Sequence, residues 1–356
     1  MQNIKYAVIG AGNGGQSMAA HLALKGYRVR LYDIDKQKIN NLKELGSIKI
    51  TGVVEGEGKP ELITDNIGEA VDGCDVIMVV VTTNNHTDVA TALTPYLKSN
   101  QIIVLNPGQT GGALEFYNII KKSGLTPPVI AETQDLIYSS RSSKVGEVKI
   151  TGIKKSMAIA ALPSKYIDKV ITVLNPAYPQ FKPAPNVLYT SLGNIGSIIH
   201  PIPTLLNAAR IEQEIVFDYY IEGITPALAA VIEKADAERL AIGNALGIKL
   251  SSIKDWLLDT YGVKEDNLYE AFKNNKAYIG IKAPNKLDHR FVFEDVACGL
   301  VPLSLLGTLL GIETPTMKAF IEISNTVLRC NYWEKGRTLE KIGLGQKGIK
   351  EILAAI

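Results

Sequence analysis

Neither sign of charge is in excess along this 356-residue chain. Its 38 Lys and Arg are set against 36 Asp and Glu, a net +2, with no long run of one sign. That balance leaves no electrostatic footprint for nucleic acid or an anionic membrane surface, so neither is expected as a partner. Cysteine is scarce, at Cys74, Cys298 and Cys330, without CxxC spacing. An odd, scattered set argues against a disulfide framework and structural zinc; no metal is expected, and a reducing cytoplasm fits best. The N-terminus enters the strand pattern IKYAVIG directly, without the basic, apolar and cleavage elements of a secretory leader. Residues 296–312, VACGLVPLSLLGTLLGI, carry no charge, but Pro302 and three glycines interrupt them. A buried core helix is expected there rather than a membrane span.

What is present is ordinary globular material, 46% hydrophobic, and long enough for two domains. From residue 4 to about 135, short β-branched runs (YAVIG, RVRLYDID, DVIMVVV, QIIVLN, PVIAE) alternate with helical stretches, with an insert at 47–66. Such alternation predicts an α/β domain with a doubly wound parallel sheet. EVKITGI and SMAIAALP are expected to extend that sheet, and a Pro-rich linker follows at 175–186. Beyond it the texture is helical, as in PALAAVIEKADAERLAIGNALG, which sets Glu233, Lys234 and Glu238 opposite its apolar positions. The expected architecture is a Rossmann domain over 1–185 followed by an all-α domain over 186–356. Uncharged helical runs suit a core or a dimer face, so a homodimer stays open.

Gly10-Ala11-Gly12-Asn13-Gly14-Gly15 matches G-x-G-x-x-G where the first strand closes and a helix opens. Gly10 serves the tight turn, Gly12 the approach of a pyrophosphate, and Gly15 close helix–strand packing, with the helix N-terminus facing the phosphates. Asp33, eighteen residues after Gly15, is placed for a ribose diol and would repel a 2′-phosphate. NAD is therefore expected over NADP. Asp35 is better placed to cap the next helix. The strand-end segments VVVTTNNH at 79–86 and Asn106-Pro107-Gly108 are expected on the cofactor side, where plain turn chemistry also favours polar residues.

A redox site of this kind needs a proton donor, and the chain has four histidines. His21 lies within the first helix and reads as packing or surface. His86 falls in a cofactor-side loop, and His289 in the polar KLDHRF turn. His200, in GNIGSIIHPIPTLLNAARIEQE, is pinned by Pro201 and Pro203 beside a helix start; Pro201 biases it away from the α region. A packed corner and a proton-transfer site are both consistent with that setting. Glu294-Asp295 offers a carboxylate to orient an imidazole, although an acid at a helix start is also a common cap. Arg290, in the strand-like RFVFE, suits a bidentate clamp on a substrate carboxylate.

The segments GAGNGGQSMAAHLALKGYRVRLYDID, LNPGQTGGALEF, HPIPTLLNAAR, YYIEGITP, KADAERLAI, RFVFEDVACGLVPLSLLG and GRTLEKIGL, in that order, resemble the opine dehydrogenase family. The likeness is greatest to its bacterial N-(1-carboxyethyl)-norvaline type. The resemblance implies a Rossmann domain followed by a helical domain. It also implies NAD(P)H-dependent condensation of an amino acid with a 2-oxo acid, with pyruvate expected. By position it makes His200 the acid/base histidine, Asp295 its partner and Arg290 a substrate-carboxylate ligand. Thr133 and Gln134 are weaker site candidates. A ketopantoate-reductase-like enzyme, which needs no amine, and a nucleotide-binding sensor without turnover are the alternative readings.

Overall fold

The computed structural model describes residues 4–345, 347–354 and 356. Its first unit runs through Gly108, resumes over Gly112–Thr190 and includes Ile356; its second holds Gln109–Gly111 and residues 191–355. The sequence reading puts the domain boundary at 185/186.

Among the described residues, twelve strands form in the first unit: β1 (Lys5–Ile9), β2 (Arg28–Tyr32), β3 (Ile48–Gly52), β4 (Gly56–Gly58), β5 (Leu62–Thr64), β6 (Val76–Val79), β7 (Ile102–Leu105), β8 (Val129–Thr133), β9 (Tyr138–Lys144), β10 (Glu147–Ile153), β11 (Met157–Leu162) and β12 (Phe181–Pro183). The main sheet has the order β12-β11-β8-β7-β6-β1-β2-β5. All its neighbours run parallel except β8 and β11. Strands β1, β6, β7 and β8 are buried along their whole length, which is why β6 (VIMV) and β7 (IIVL) are unbroken apolar runs. The strand order reverses at β1, and in such sheets ligands bind beyond the carboxyl ends at the reversal.

Two expectations about the sheet need correction. SMAIAALP does extend it, as β11, but EVKITGI is β10 of a separate four-stranded sheet, β4-β3-β10-β9. Val148 and Ile150 of β10 are buried while Lys149 and Thr151 are exposed, the alternation of a sheet covered on one face. The Pro-rich segment is not a free linker. Tyr178 and Phe181 are buried in the core, and β12 adds the outermost strand, where proline is tolerated.

The second unit is helical, with a single β-bridge among the described residues, between Asp218 and Lys282. Its main helices are Pro226–Ala245, Ile253–Tyr261, Pro315–Val327 and the run Arg290–Leu309. That last run is long and apolar enough to cross a membrane, yet 78% of its apolar window is buried within the fold. It is the core helix expected from its sequence. Glu238 departs from expectation: it is buried and accepts hydrogen bonds from the Thr316 and Met317 amides at 2.8 and 3.0 Å. A charge at a helix start neutralises unpaired N–H groups, so this acid works inside the fold rather than on a solvated face.

His21 is a packing residue, as read. Its Nδ1 lies 2.9 Å from the Tyr138 hydroxyl, which donates to the Tyr178 hydroxyl at 2.9 Å. Burial, with Lys25 adding to it, lowers the imidazole pKa to about 4. The unfolded chain takes up that proton near the ordinary value of 6.5, so stability falls as pH drops from about 6.5 to 4. Thermal melts at pH 7 and 4.5 should therefore show a larger loss in the wild type than in His21→Gln. Parallel losses would contradict this.

Candidate active site

In the first unit, the glycine loop follows β1. Gly10 has φ +104°, a conformation side chains rarely adopt, and its amide donates to the Tyr32 carbonyl at 2.8 Å. A Cβ on Gly15 would fall 1.7 Å from the Gly10 carbonyl oxygen, so only glycine lets helix Asn13–Leu24 sit this close to the turn. Gly14 packs against Leu136 and Val80. Gly12 differs from these: a Cβ there would meet no protein atom within 4 Å. No side chain among the described residues caps that helix, whose amides from Asn13 onward face the same loop. Space above Gly12 and uncapped amides form the cradle a pyrophosphate needs, so the residues fit a dinucleotide.

Asp33 is buried and holds this loop. Its Oδ2 accepts from the Ala11 amide at 2.6 Å and from Lys38 Nζ at 3.1 Å, and its Oδ1 accepts from the Asp35 amide at 3.0 Å. A carboxylate has about four acceptor sites, so Oδ1 retains capacity for a hydroxyl donor. Asp35 caps the next helix by accepting from the Lys38 amide, as expected. His86, expected in a loop, instead opens helix His86–Leu93 and is fully buried, with its ring edge-on to Phe116 at 5.3 Å. Asn106 and Thr133 are also buried, and each donates to a β7 carbonyl, of Val104 and Leu105 respectively. They brace the strand ends. Gln134 is half-buried, its amide bonded to the Ala158 carbonyl.

In the second unit, His200 and Asp295 meet. His200 Nδ1 lies 2.9 Å from Asp295 Oδ2, and the carboxylate is 1% exposed. A carboxylate only accepts, so the proton sits on Nδ1 and Nε2 is left to exchange a proton. The ring stacks on Phe291 at 4.2 Å with 13° between planes, worth on the order of 1 kcal/mol. The His200 carbonyl accepts from the Thr204 hydroxyl at 2.8 Å and from the Tyr219 hydroxyl.

The backbone of His200 is a correction. Despite Pro201, it lies in the α region, at φ −99° and ψ −60°, ending helix Gly196–Ile199 and preceding helix Pro201–Leu206. Its amide bonds the Gly196 carbonyl, and the Thr204 amide bonds its carbonyl, and these two bonds override the pre-proline bias. RFVFE is likewise helical, Arg290–Asp295, not a strand. His289 starts that helix by accepting from the Phe291 amide at 3.3 Å, so it is a cap rather than a solvated turn residue. Burial, then the Arg290 charge, lowers its pKa to about 4, which keeps that nitrogen free to accept. Arg290 projects half-exposed from the same turn, its Nε 3.1 Å from buried Glu294.

One direct partner of this pair, Gln109, and the serine bonded to it lie outside the sequence expectations. Gln109 donates from Nε2 to Asp295 Oδ1 at 2.6 Å, and its Oε1 accepts from Ser197 Oγ at 3.0 Å. Gln109 directly follows the expected strand-end segment Asn106-Pro107-Gly108, but its contact with Asp295 leaves no mark in local spacing. Among the described residues no cluster of acidic, His and Cys side chains is suited to a metal.

A dinucleotide cradle on a doubly wound sheet, in a chain that also carries a buried His–Asp pair, defines a nicotinamide-dependent oxidoreductase. Comparison with known proteins gives the family. A model described as the α-helical domain of NAD/NADP octopine/nopaline dehydrogenase matches residues 183–328, and the NAD-binding domain of 6-phosphogluconate dehydrogenase matches 5–109. The chain is 42% identical to an opine dehydrogenase of Arthrobacter sp. (strain 1C) over 95% of both chains. It is 25% identical to the octopine dehydrogenase of Mizuhopecten yessoensis over 88% of this chain and 87% of that one. In fold it resembles an octopine dehydrogenase solved with NADH and L-arginine, with a TM-score of 0.82, 21% identity, and coverage of 99% of this chain and 98% of that one. This chain belongs to the opine dehydrogenase family and is an NAD(P)-dependent oxidoreductase.

The cradle yields a separable prediction. Gly12→Ala should fold with an unchanged melting temperature, because its Cβ meets no protein atom, yet bind NADH at least about tenfold more weakly. Fluorescence titration checks this, and wild-type affinity would remove Gly12 from the cofactor site.

Proposed function

We propose that this chain catalyses reductive condensation of an amino acid with a 2-oxo acid, pyruvate being the expected one, to an N-(1-carboxyalkyl) amino acid. The observation that carries the reading is the buried His200–Asp295 bond in a chain 42% identical to an opine dehydrogenase. A relative solved with NADH and L-arginine, and again with NADH and pyruvate, supports the two substrate classes.

The amine adds to the carbonyl to give a carbinolamine, which loses water to an imine. The imine carbon then takes a hydride and the nitrogen ends protonated, leaving a secondary amine with two carboxylates. A reduced nicotinamide, when bound, supplies that hydride. Gly10, Gly12, Asn13, Gly14 and Gly15 are the residues proposed to hold its pyrophosphate, and Asp33 its ribose. His200 serves as the acid/base group through Nε2: in its charged form it protonates the departing hydroxyl, and Asp295 stabilises the imidazolium. Arg290 binds a substrate carboxylate with a guanidinium that Glu294 orients, so that the reacting carbon is held in place. Three dispersed cysteines, none joined in a disulfide, support a reducing cytoplasm as the setting.

NADH oxidation should require pyruvate and an amino acid together. Oxidation with pyruvate alone would favour a simple keto-acid reductase. His200→Ala and Asp295→Asn should each lower kcat by about 10²–10⁴-fold, and near-normal turnover in either would remove its assigned role.

Asp33 favours NAD, but the Lys38 ammonium at 3.1 Å tempers its repulsion of a 2′-phosphate. Lys38→Ala should lower kcat/KM with NADPH relative to NADH several-fold. An unchanged ratio would show that Lys38 takes no part in selectivity.

A further inference from the structure

A buried carboxylate that orients a histidine must itself be oriented, and the second oxygen of Asp295 is where that happens. We propose that Gln109 is a positioning residue: its side-chain amide fixes which oxygen of Asp295 faces His200, and so holds the imidazole in the Nδ1–H tautomer. The inference deepens the proposed reaction and rests on that reading for its effect on turnover.

The geometry leaves the amide one orientation. Asp295 accepts only, so the Gln109 NH2 must point at Oδ1, at 2.6 Å, while its oxygen receives the Ser197 hydroxyl at 3.0 Å. Both Gln109 and Ser197 are buried, so water does not substitute for either. Ser197 lies on the short helix Gly196–Ile199 that ends at His200, and the chain Ser197–Gln109–Asp295–His200 therefore closes on itself. Space for Ser197 depends on Gly299, where a Cβ would fall 2.3 Å from the serine hydroxyl.

The backbone under Gln109 is committed to this placement. Gln109 has φ +57°, a left-handed conformation that is uncommon for a non-glycine residue. Its neighbours fix the loop: the Thr110 amide donates to the Cys298 carbonyl at 3.2 Å, buried Arg337 donates from Nη1 to the Thr110 carbonyl at 3.0 Å, and the Gly111 amide donates to Ser191 Oγ at 3.0 Å. The Cys298 carbonyl belongs to a π-helical turn, Val296–Leu300, directly after Asp295. The Ala297 carbonyl in the same turn accepts from the Arg337 amide at 2.8 Å. A π-turn disturbs the regular ladder, and here two of its carbonyls are bonded to the segments that hold the Gln109 loop.

The test reads the imidazole directly. With four histidines in the chain, a ¹⁵N-detected NMR spectrum assigns His200 by its loss in His200→Ala. Wild-type protein should show the Nδ1–H tautomer. Gln109→Leu, similar in size but without the amide, should show a mixture of tautomers. Its kcat should fall about 10–100-fold while NADH affinity is retained. If Gln109→Leu does not fold, Ser197→Ala replaces it, leaving the glutamine present but its oxygen unbonded; a mixed tautomer with a several-fold loss in kcat is then expected. A folded Gln109→Leu with the wild-type tautomer overturns the proposal even if activity falls, because the loss would then act on substrate rather than through Asp295. If Ser197→Ala is the variant measured, an unchanged tautomer overturns it likewise. Should the wild type fail to condense any amine with an oxo acid, the reaction reading fails, and the tautomer measurement still decides the role of Gln109.

Discussion

The charge on Asp295 is the constraint around which the second unit is arranged. An ionised carboxylate almost shut off from water costs several kcal/mol unless it is paired and hydrogen-bonded. His200 satisfies one oxygen and Gln109 the other. Meeting both demands places His200 at a junction of two short helices, brings a strand-end loop against the start of a π-turn, and requires glycine at 299. The histidine is held in three ways, by a carboxylate on Nδ1, an aromatic ring on its face and hydroxyls on its backbone carbonyl. Groups held this firmly lose little entropy on the way to a reacting geometry.

The first unit answers a different constraint, the close approach of a helix to a glycine turn. Gly15 lets the helix reach the turn, and Gly10 turns the chain. Asp33 joins the end of β2 to Ala11 and so couples the acid proposed for the ribose to the glycine loop. One carboxylate thereby stabilises the cradle and retains an acceptor for ligand. The four-stranded sheet joins in through Gln16, which donates to the Ala11 carbonyl and accepts from the Gly146 amide, both at buried positions.

Much of this was legible in sequence, for identifiable reasons. Fully buried parallel strands write themselves as apolar runs, and the glycine pattern carries its own mechanism, so the α/β unit and its loop could be read locally. EVKITGI was expected in the main sheet, but a strand pattern alone does not say which sheet a strand joins. RFVFE misled because a short run of aromatic and β-branched residues mimics a strand, while its helical state depends on a histidine cap just outside the run. His200 and Asp295 stood out by residue type and by family resemblance. Gln109 did not, since its contact spans 186 residues and leaves no mark in local spacing. Glu238 shows the same limit: a charged residue at a helix-face position looks solvated until the next helix is found sitting on it.

The central claim, that a carbon–nitrogen bond is formed and reduced, is tested most directly on the product. Wild-type enzyme with NADH, pyruvate and a ¹⁵N-labelled amino-acid pool can be followed by mass spectrometry. The account predicts a secondary amine that keeps the ¹⁵N and joins both carbon skeletons, one water lighter and two hydrogens heavier than the sum of its parts. A 2-hydroxy acid accumulating while all ¹⁵N stays in unchanged amino acid would contradict it.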